Sequence, residues 1–238
     1  MKKYLLLLLL LPCFSFLGND NIRLIQIQML TRTLQNGQYI SVKSSLYIDV
    51  LKEVMVSHTL VPYEQVAINY SNGDMKVYNV KQNTVIQMNG MDMSSRNSFF
   101  YNFLYGSTSD LGLKKSGFKV IQTKTEDKTM VVTTWEPINK QKKGVQKAVL
   151  AHENNMPVYL AFSDEKKLTF LKIYYDNYQK VNNVYLPTLM TEILFSAPKD
   201  SVITRRNFSD IKVNNLCDPT YFNYQIPSSA KLIEPDKK

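Results

Sequence analysis

Residues Tyr39 to Val50 read YISVKSSLYIDV, and the two-residue period of this stretch decides the class of fold. Ile40, Val42, Leu46, Ile48 and Val50 fall on one side of an extended chain, with Tyr39, Ser41, Lys43, Ser45, Tyr47 and Asp49 on the other. Successive side chains of a strand point to opposite faces, so this is a strand with one buried and one wetted face, as in an antiparallel sheet. The alternation resumes in Val54, Val56, His58 and Leu60 and again in Val66, Ile68 and Tyr70. Asn72-Gly73 follows as a hairpin signal, because a type I′ turn needs positive φ at both central residues. Met75 to Val77 and Val85 to Met88 extend the meander.

Downstream, similar segments lie at 117–122, 128–135, 145–150, 157–162, 167–175 and 189–195, and the chain closes with 210–213 and 221–226. That makes about a dozen short strands, spaced as in a sandwich, barrel or strongly curved sheet. Two segments predict helices. Asp20 can cap one that carries Ile22, Ile25, Met29 and Thr33 along one face. Ser94 or Ser95 can cap another, with Phe99, Phe100, Phe103 and Leu104 at helical spacing and Gly106 as its stop. Internal repeats, low-complexity tracts and Pro/Ser linkers are lacking, which predicts one domain over 19–238.

Residues 1–18 predict a signal peptide: Lys2 and Lys3 precede an apolar run from Leu5 to Leu11, and small residues follow at Ser15 and Gly18. The run is too short to span a bilayer. Acylation at Cys13 is the lesser alternative, since Pro12 stands where a lipoprotein signal has a small residue. With Cys13 removed, Cys217 is the only cysteine left, so no internal disulfide is expected and the core must hold the fold. The formal charge is +9, and loss of Lys2 and Lys3 leaves +7. The lysines are scattered, densest at Lys140 to Lys143 and at Lys237-Lys238, and no aromatics interleave with arginine as in a single-strand nucleic-acid groove. Transient contact with an anionic membrane surface fits this balance better than nucleic acid.

The mature chain offers two histidines, His58 and His152, for acid–base work or metal ligation. His58, in mid-strand, is either solvent-facing or a satisfied core group, and His152 in a polar turn is ordinarily solvated. Zinc-protease, dithiol, nucleophile-elbow and phosphate-loop motifs are all missing, so neither an enzyme nor a metal or cofactor site is expected. The pairs Glu126-Asp127 and Asp164-Glu165 stand beside lysines, as at solvated hairpin tips. Ten methionines, fifteen tyrosines and eleven phenylalanines accompany a single tryptophan. Methionine repacks easily and suits a wall that must accept flexible chains. Met75, Met88, Met91 and Met93 gather just before the Phe99–Leu104 helix, which predicts a lid over the open face of a curved sheet.

The order of these elements resembles the LolA-like lipoprotein carriers and their relatives among the lipoprotein-sorting proteins. Lys43-Ser-Ser-Leu46 through Leu51-Lys-Glu-Val-Met-Val-Ser57 is similar to a strand and Ser-containing turn of that family. Leu60-Val-Pro62 with Val66-Ala-Ile-Asn-Tyr70 resembles the stretch after a family proline. Ser71-Asn-Gly-Asp74 with Met75 to Tyr78 resembles a hairpin that often reads D-G-x-x-L-x-x-Y, and Leu104-Tyr-Gly106 the end of the lid helix. Phe222-Asn-Tyr224, Ile226-Pro227, Ala230, Leu232 and Ile233 resemble the family ending. Family members hold the lid with an arginine just before the proline; here Thr59-Leu60-Val61 precede Pro62, with Arg96 or Arg23 as substitutes.

The resemblance implies a mainly β fold with helices, an incomplete β-barrel whose curved antiparallel sheet is covered by a helical lid. It also implies a periplasmic carrier that takes the acyl chains of a lipoprotein or another lipid toward the outer membrane, between an inner-membrane donor and an outer-membrane acceptor. A lipoprotein-sensing or protein-interaction module on the same half-barrel is the alternative. Each CH₂ withdrawn from water contributes about 0.8 kcal/mol, so a 16-carbon chain represents about 12 kcal/mol of gross driving force. The expected lid residues are Phe99, Phe100, Phe103 and Leu104, and the expected cavity wall is Met75, Val77, Met88, Trp135, Leu160, Phe162 and Phe170.

Overall fold

The hairpin β1 (Leu24–Gln35) to β2 (Gln38–Asp49) is the spine of the molecule, with every residue from Leu24 to Gln35 in register with β2. Its turn is Asn36-Gly37, both at positive φ (50° and 73°), so the type I′ pair expected at Asn72-Gly73 occurs here. At Asn72-Gly73 only the glycine has positive φ, and Asn72 Oδ1 instead accepts from the Asp74 backbone N–H at 3.0 Å. The structure is a computed structural model and describes residues 21–126, 128–139, 144–197 and 200–234. The expected leader, Cys13 and the lysine clusters at 140–143 and 237–238 lie outside the described residues.

The helix expected from Ile22 to Thr33 is corrected: this stretch is strand β1. Ile25, Ile27 and Met29 also alternate, and pairing with a partner on each side outweighs a local helical reading of a segment rich in Ile and Thr. The meander continues through β3 (Val54–Val61), β4 (Gln65–Asn69), β5 (Asp74–Asn79) and β6 (Thr84–Asn89). After the helix come β7 (Phe118–Thr125), β8 (Met130–Pro137), β9 (Lys147–Glu153) and β10 (Met156–Ser163). Three long strands follow, β11 (Thr169–Val181), β12 (Val184–Ala197) and β13 (Asp200–Val213), and the short β14 (Lys231–Ile233) comes last.

Among the described residues these fourteen strands form one sheet in the order β14-β6-β5-β4-β3-β2-β1-β13-β12-β11-β10-β9-β8-β7. Two meanders therefore meet at a seam, β1 against β13. Every pairing is antiparallel except β14 on β6. The strand expected at 221–226 is also corrected. Pro219–Tyr221 is a 3-10 turn, and Phe222 is buried with Tyr47, Val56, Val66 and Ile68 on the outer face of the sheet. The apolar period of Phe222, Tyr224 and Ile226 serves packing on that face rather than pairing in the sheet.

The inner face carries the main core. The one α-helix among the described residues, α1 (Phe99–Leu104), follows two 3-10 turns, Met91–Met93 and Ser95–Asn97. Ser94 Oγ caps the second turn by accepting from the Arg96 backbone N–H at 3.2 Å, while α1 itself begins after Ser98. Gly106 stands just beyond its end at φ 71°. The expected helical lid is thus a single six-residue helix, continued by an irregular segment that buries Leu113.

Candidate functional site

Cross-strand partners lie on the same face of a sheet, so the inner face can be followed by register alone. Met29 faces Phe208 and Ser44, and Ile27 faces Leu46, which faces Ser57. On the far side of the seam Arg206 faces Met190, Met190 faces Tyr175, and Ile173 faces Leu160. Residues of this row from β3 through to β10 border one cavity of about 490 Å³, together with Phe99, Phe100, Phe103 and Leu111. Seven adjacent strands laid flat would place its walls about 29 Å apart at the usual strand spacing. The sheet must therefore curl around α1. The cavity volume is within the range of small-molecule pockets, about 300–1,000 Å³.

Aromatic contacts hold α1 in the trough. Phe99 stacks on Phe208 (5.6 Å between centroids, 8° between planes) and on Tyr175 (5.8 Å, 11°). Phe100 meets Phe208 edge-on at 5.0 Å. Phe103 packs against Tyr175 and Tyr178 and is only 2% exposed. Phe100 and Phe103 are thus core residues, whereas the half-buried Phe99 closes the gap between helix and sheet. Burial pushes the Tyr175 hydroxyl well above the ordinary tyrosine range, and Tyr178, which donates to the Pro157 carbonyl, moves the same way for the same reason.

The approach to α1 is tied to the β2–β3 turn. Arg96 pairs with Glu53, its Nε donating to Oε2 at 2.9 Å, and Ser95 Oγ donates to the Glu53 carbonyl. Tyr105 donates its hydroxyl to the Val50 carbonyl, and burial pushes its pKa up to about 12, with the nearby Glu53 carboxylate adding to the shift. Of the two candidate arginines, then, Arg96 fastens the helical segment. Arg23 donates through its backbone N–H to Asn214 Oδ1 at 2.8 Å.

Phe99, Phe100, Phe103 and Leu160 border the cavity. Leu104 turns to a small crevice beside Ile48 and Tyr101. Trp135 is 2% exposed in the same core, its Nε1 donating to Thr133 Oγ1 at 2.8 Å, and Phe162 packs against that core from β10. Phe170 is half-buried at an irregularity of β11. Met75, Val77 and Met88 share the inner face through register with Met55 and Ser57, but lie further round the sheet. Met75 and Met88 border a second hollow with Lys52, Asp74 and Lys76. Met29, Leu46, Tyr175, Met190, Arg206 and Phe208 line the cavity and were missed by sequence reasoning; alternation within β1, β12 and β13 was the available signal.

The remaining candidates are accounted for locally. His58 is 9% exposed, stacks on Tyr221 at 4.4 Å and is bonded to Glu64 at 2.9 Å, so it is a satisfied core group. His152, expected to be solvated, is half-buried and meets the Thr108 carbonyl at 2.9 Å. Asp164 Oδ1 accepts from the backbone of Lys166 and Leu168 at a hairpin tip. Cys217 is half-buried and free, its thiol pushed up by burial. Among the described residues no group of three or more His, Cys, Asp or Glu is placed to hold a metal ion, and no helix is long and apolar enough to cross a membrane.

The fold is shared with known structures. A DUF1329 family protein from Desulfovibrio piger superposes with a TM-score of 0.58 at 13% identity, covering 86% of this chain and 91% of that one. An outer membrane lipoprotein-sorting protein domain from Vibrio parahaemolyticus gives 0.57 at 17% identity, with 87% and 91% covered. A LolA superfamily protein from Nitrosomonas europaea gives 0.55 at 14% identity, with 83% and 91% covered. In sequence, no family model and no curated protein matches the chain. The protein has a LolA-like fold, one large curved open sheet with a short helix on its inner face.

Proposed function

We propose that this protein is a periplasmic carrier that binds the acyl chains of a lipoprotein, or of another lipid, in the cavity between α1 and the sheet and delivers them toward the outer membrane. The observation that carries this reading is the cavity of about 490 Å³ walled mostly by methionine, leucine and aromatic side chains, within a fold shared with a lipoprotein-sorting domain. Met29, Met55 and Met190 give the wall the adaptability that varied chains require. Phe99 is the side chain that must yield. It is half-buried at the cavity edge, and its displacement lengthens the trough without dismantling the core that Phe100 and Phe103 hold. The chemistry asked of the site is burial and release, with no bond made or broken. The leader expected at 1–18 would deliver the chain to the periplasm, where donor and acceptor membrane proteins would meet it.

Native mass spectrometry with lipid extraction on detergent-free mature protein tests the reading. Bound acyl lipid in the wild type, lost in a folded Phe99→Asp variant, is the expected result. A folded protein that stays empty when offered triacylated peptide overturns the carrier, and a stoichiometric protein partner in place of lipid would establish the sensing or interaction module instead.

A further inference from the structure

Along the inner face the chemistry changes within one step of the strands. On β13 the inward residues run Phe208, Arg206, Thr204, and the β1 residues facing them are Met29, Thr31 and Thr33. On β12 Met190 faces Arg206 and Glu192 faces Thr204. The apolar wall beneath Phe99 thus passes directly into a polar floor. Arg206 Nη1 donates to Glu192 Oε2 at 3.1 Å, their side chains are 28% and 30% exposed, and both border the cavity. Thr33 and Thr204 share a hydrogen bond at 3.3 Å just beyond them.

A partly desolvated ion pair adds little net stability, and apolar residues at both positions would hold the strands as well. Its place in the wall of an apolar cavity is accounted for by a ligand with a charge of its own. We propose that Arg206 is the centre of an oxyanion subsite, so that the ligand is an acyl chain joined to a carboxylate or phosphate rather than a neutral lipid. This rests on the acyl-chain reading of the cavity. With the chain under Phe99, the head group falls at Arg206, beside Thr31 in the same row and Thr204 in the next. A guanidinium carries five N–H donors in a planar fork, enough to hold Glu192 and an oxyanion together. Glu192 balances Arg206 when the site is empty and competes for the guanidinium when it is filled, which favours release.

The test compares the affinities of palmitate, palmitoyl-lysophosphatidylglycerol and neutral monopalmitoylglycerol at pH 8 for the wild-type protein, Arg206→Gln and Glu192→Gln. The wild type should bind at least one anionic amphiphile about five- to tenfold more tightly than the neutral one. Preference for palmitate alone identifies a carboxylate ligand, and preference for the lysophospholipid alone a phosphate ligand. Arg206→Gln should abolish the preference for the anionic over the neutral amphiphile, and Glu192→Gln should increase it, because the carboxylate that competes for the guanidinium is gone. Should Arg206→Gln fail to fold, Glu192→Gln decides: an unchanged preference overturns the subsite. Equal wild-type affinities, or a preference that survives in folded Arg206→Gln, overturn the subsite and leave the carrier standing. Failure of all three amphiphiles to bind overturns both.

Discussion

Gly73 is a position where one added atom has no room. Its φ is +90°, and a Cβ there would stand 2.7 Å from the Gly90 carbonyl oxygen, the partner loop whose N–H donates to Gly73 at 3.1 Å. Gly73→Ala should cost about 1–3 kcal/mol in urea unfolding. Gly37→Ala, also at positive φ but with nothing within 4 Å of its Cβ, should cost about 1 kcal/mol. Equal losses would show that the Gly90 contact is immaterial. Phe103→Ala, which removes a buried ring from the core, should cost about 3–5 kcal/mol, against clearly less for the half-buried Phe99→Ala. Tyr105 gives a pH signature. Its pKa rises from about 10 unfolded to about 12 in the fold. The neutral hydroxyl's contribution is therefore whole below pH 10 and is lost as pH climbs through 12. Absorbance at 295 nm should show tyrosines ionising late, with near-ultraviolet dichroism lost in the same window; a Tyr105→Phe variant that titrates identically would remove Tyr105 from this account.

At the scale of elements, the bond of Arg96 to Glu53 fastens the segment that leads into α1. Arg96 is well exposed, so Arg96→Ala should leave the urea midpoint almost unchanged. It should nevertheless speed hydrogen exchange in 99–105 several-fold, and unchanged exchange there would show that the helix is held by its phenylalanines alone. What was legible in the sequence follows the same division. The strand at Tyr39 to Val50 was readable because burial on one face imposes a strict period. The helix at Phe99 was readable from its aromatic spacing and from Gly106. The first strand was misread because Ile22, Ile25, Met29 and Thr33 fit a helical stripe as well as a strand, and only β2 and β13 on its flanks decide between them. Phe222 to Ile226 was misread because alternation records burial, and the outer face supplied burial without a neighbouring strand. The charged floor was hidden for a related reason: Glu192 and Arg206 lie in different strands, and the inward direction of 200–209 depends on a register that β1 dictates.

At the scale of the molecule, an open sheet has two edges, and among the described residues a short added strand caps the β6 side while β7 ends the other. β14 lies parallel on β6, steered there by Asn83, whose side chain donates to the Ser229 carbonyl at 3.1 Å. Deleting 231–238 should uncover β6 and increase self-association in size-exclusion chromatography at high concentration; a variant that elutes as the full chain does would show that the edge is harmless uncovered. The seam where β1 meets β13 has a consequence in time. Thr33 and Thr204, which touch across it, are separated by 171 residues of chain. At a synthesis rate of about 5–20 residues per second, β1 waits roughly 10–30 seconds for its partner to be made. Throughout that interval the first meander presents a bare strand and an uncovered apolar face to its surroundings. A nascent chain of this topology cannot close its sheet early: the seam, and the inner core that spans it, form only when the last long strand arrives.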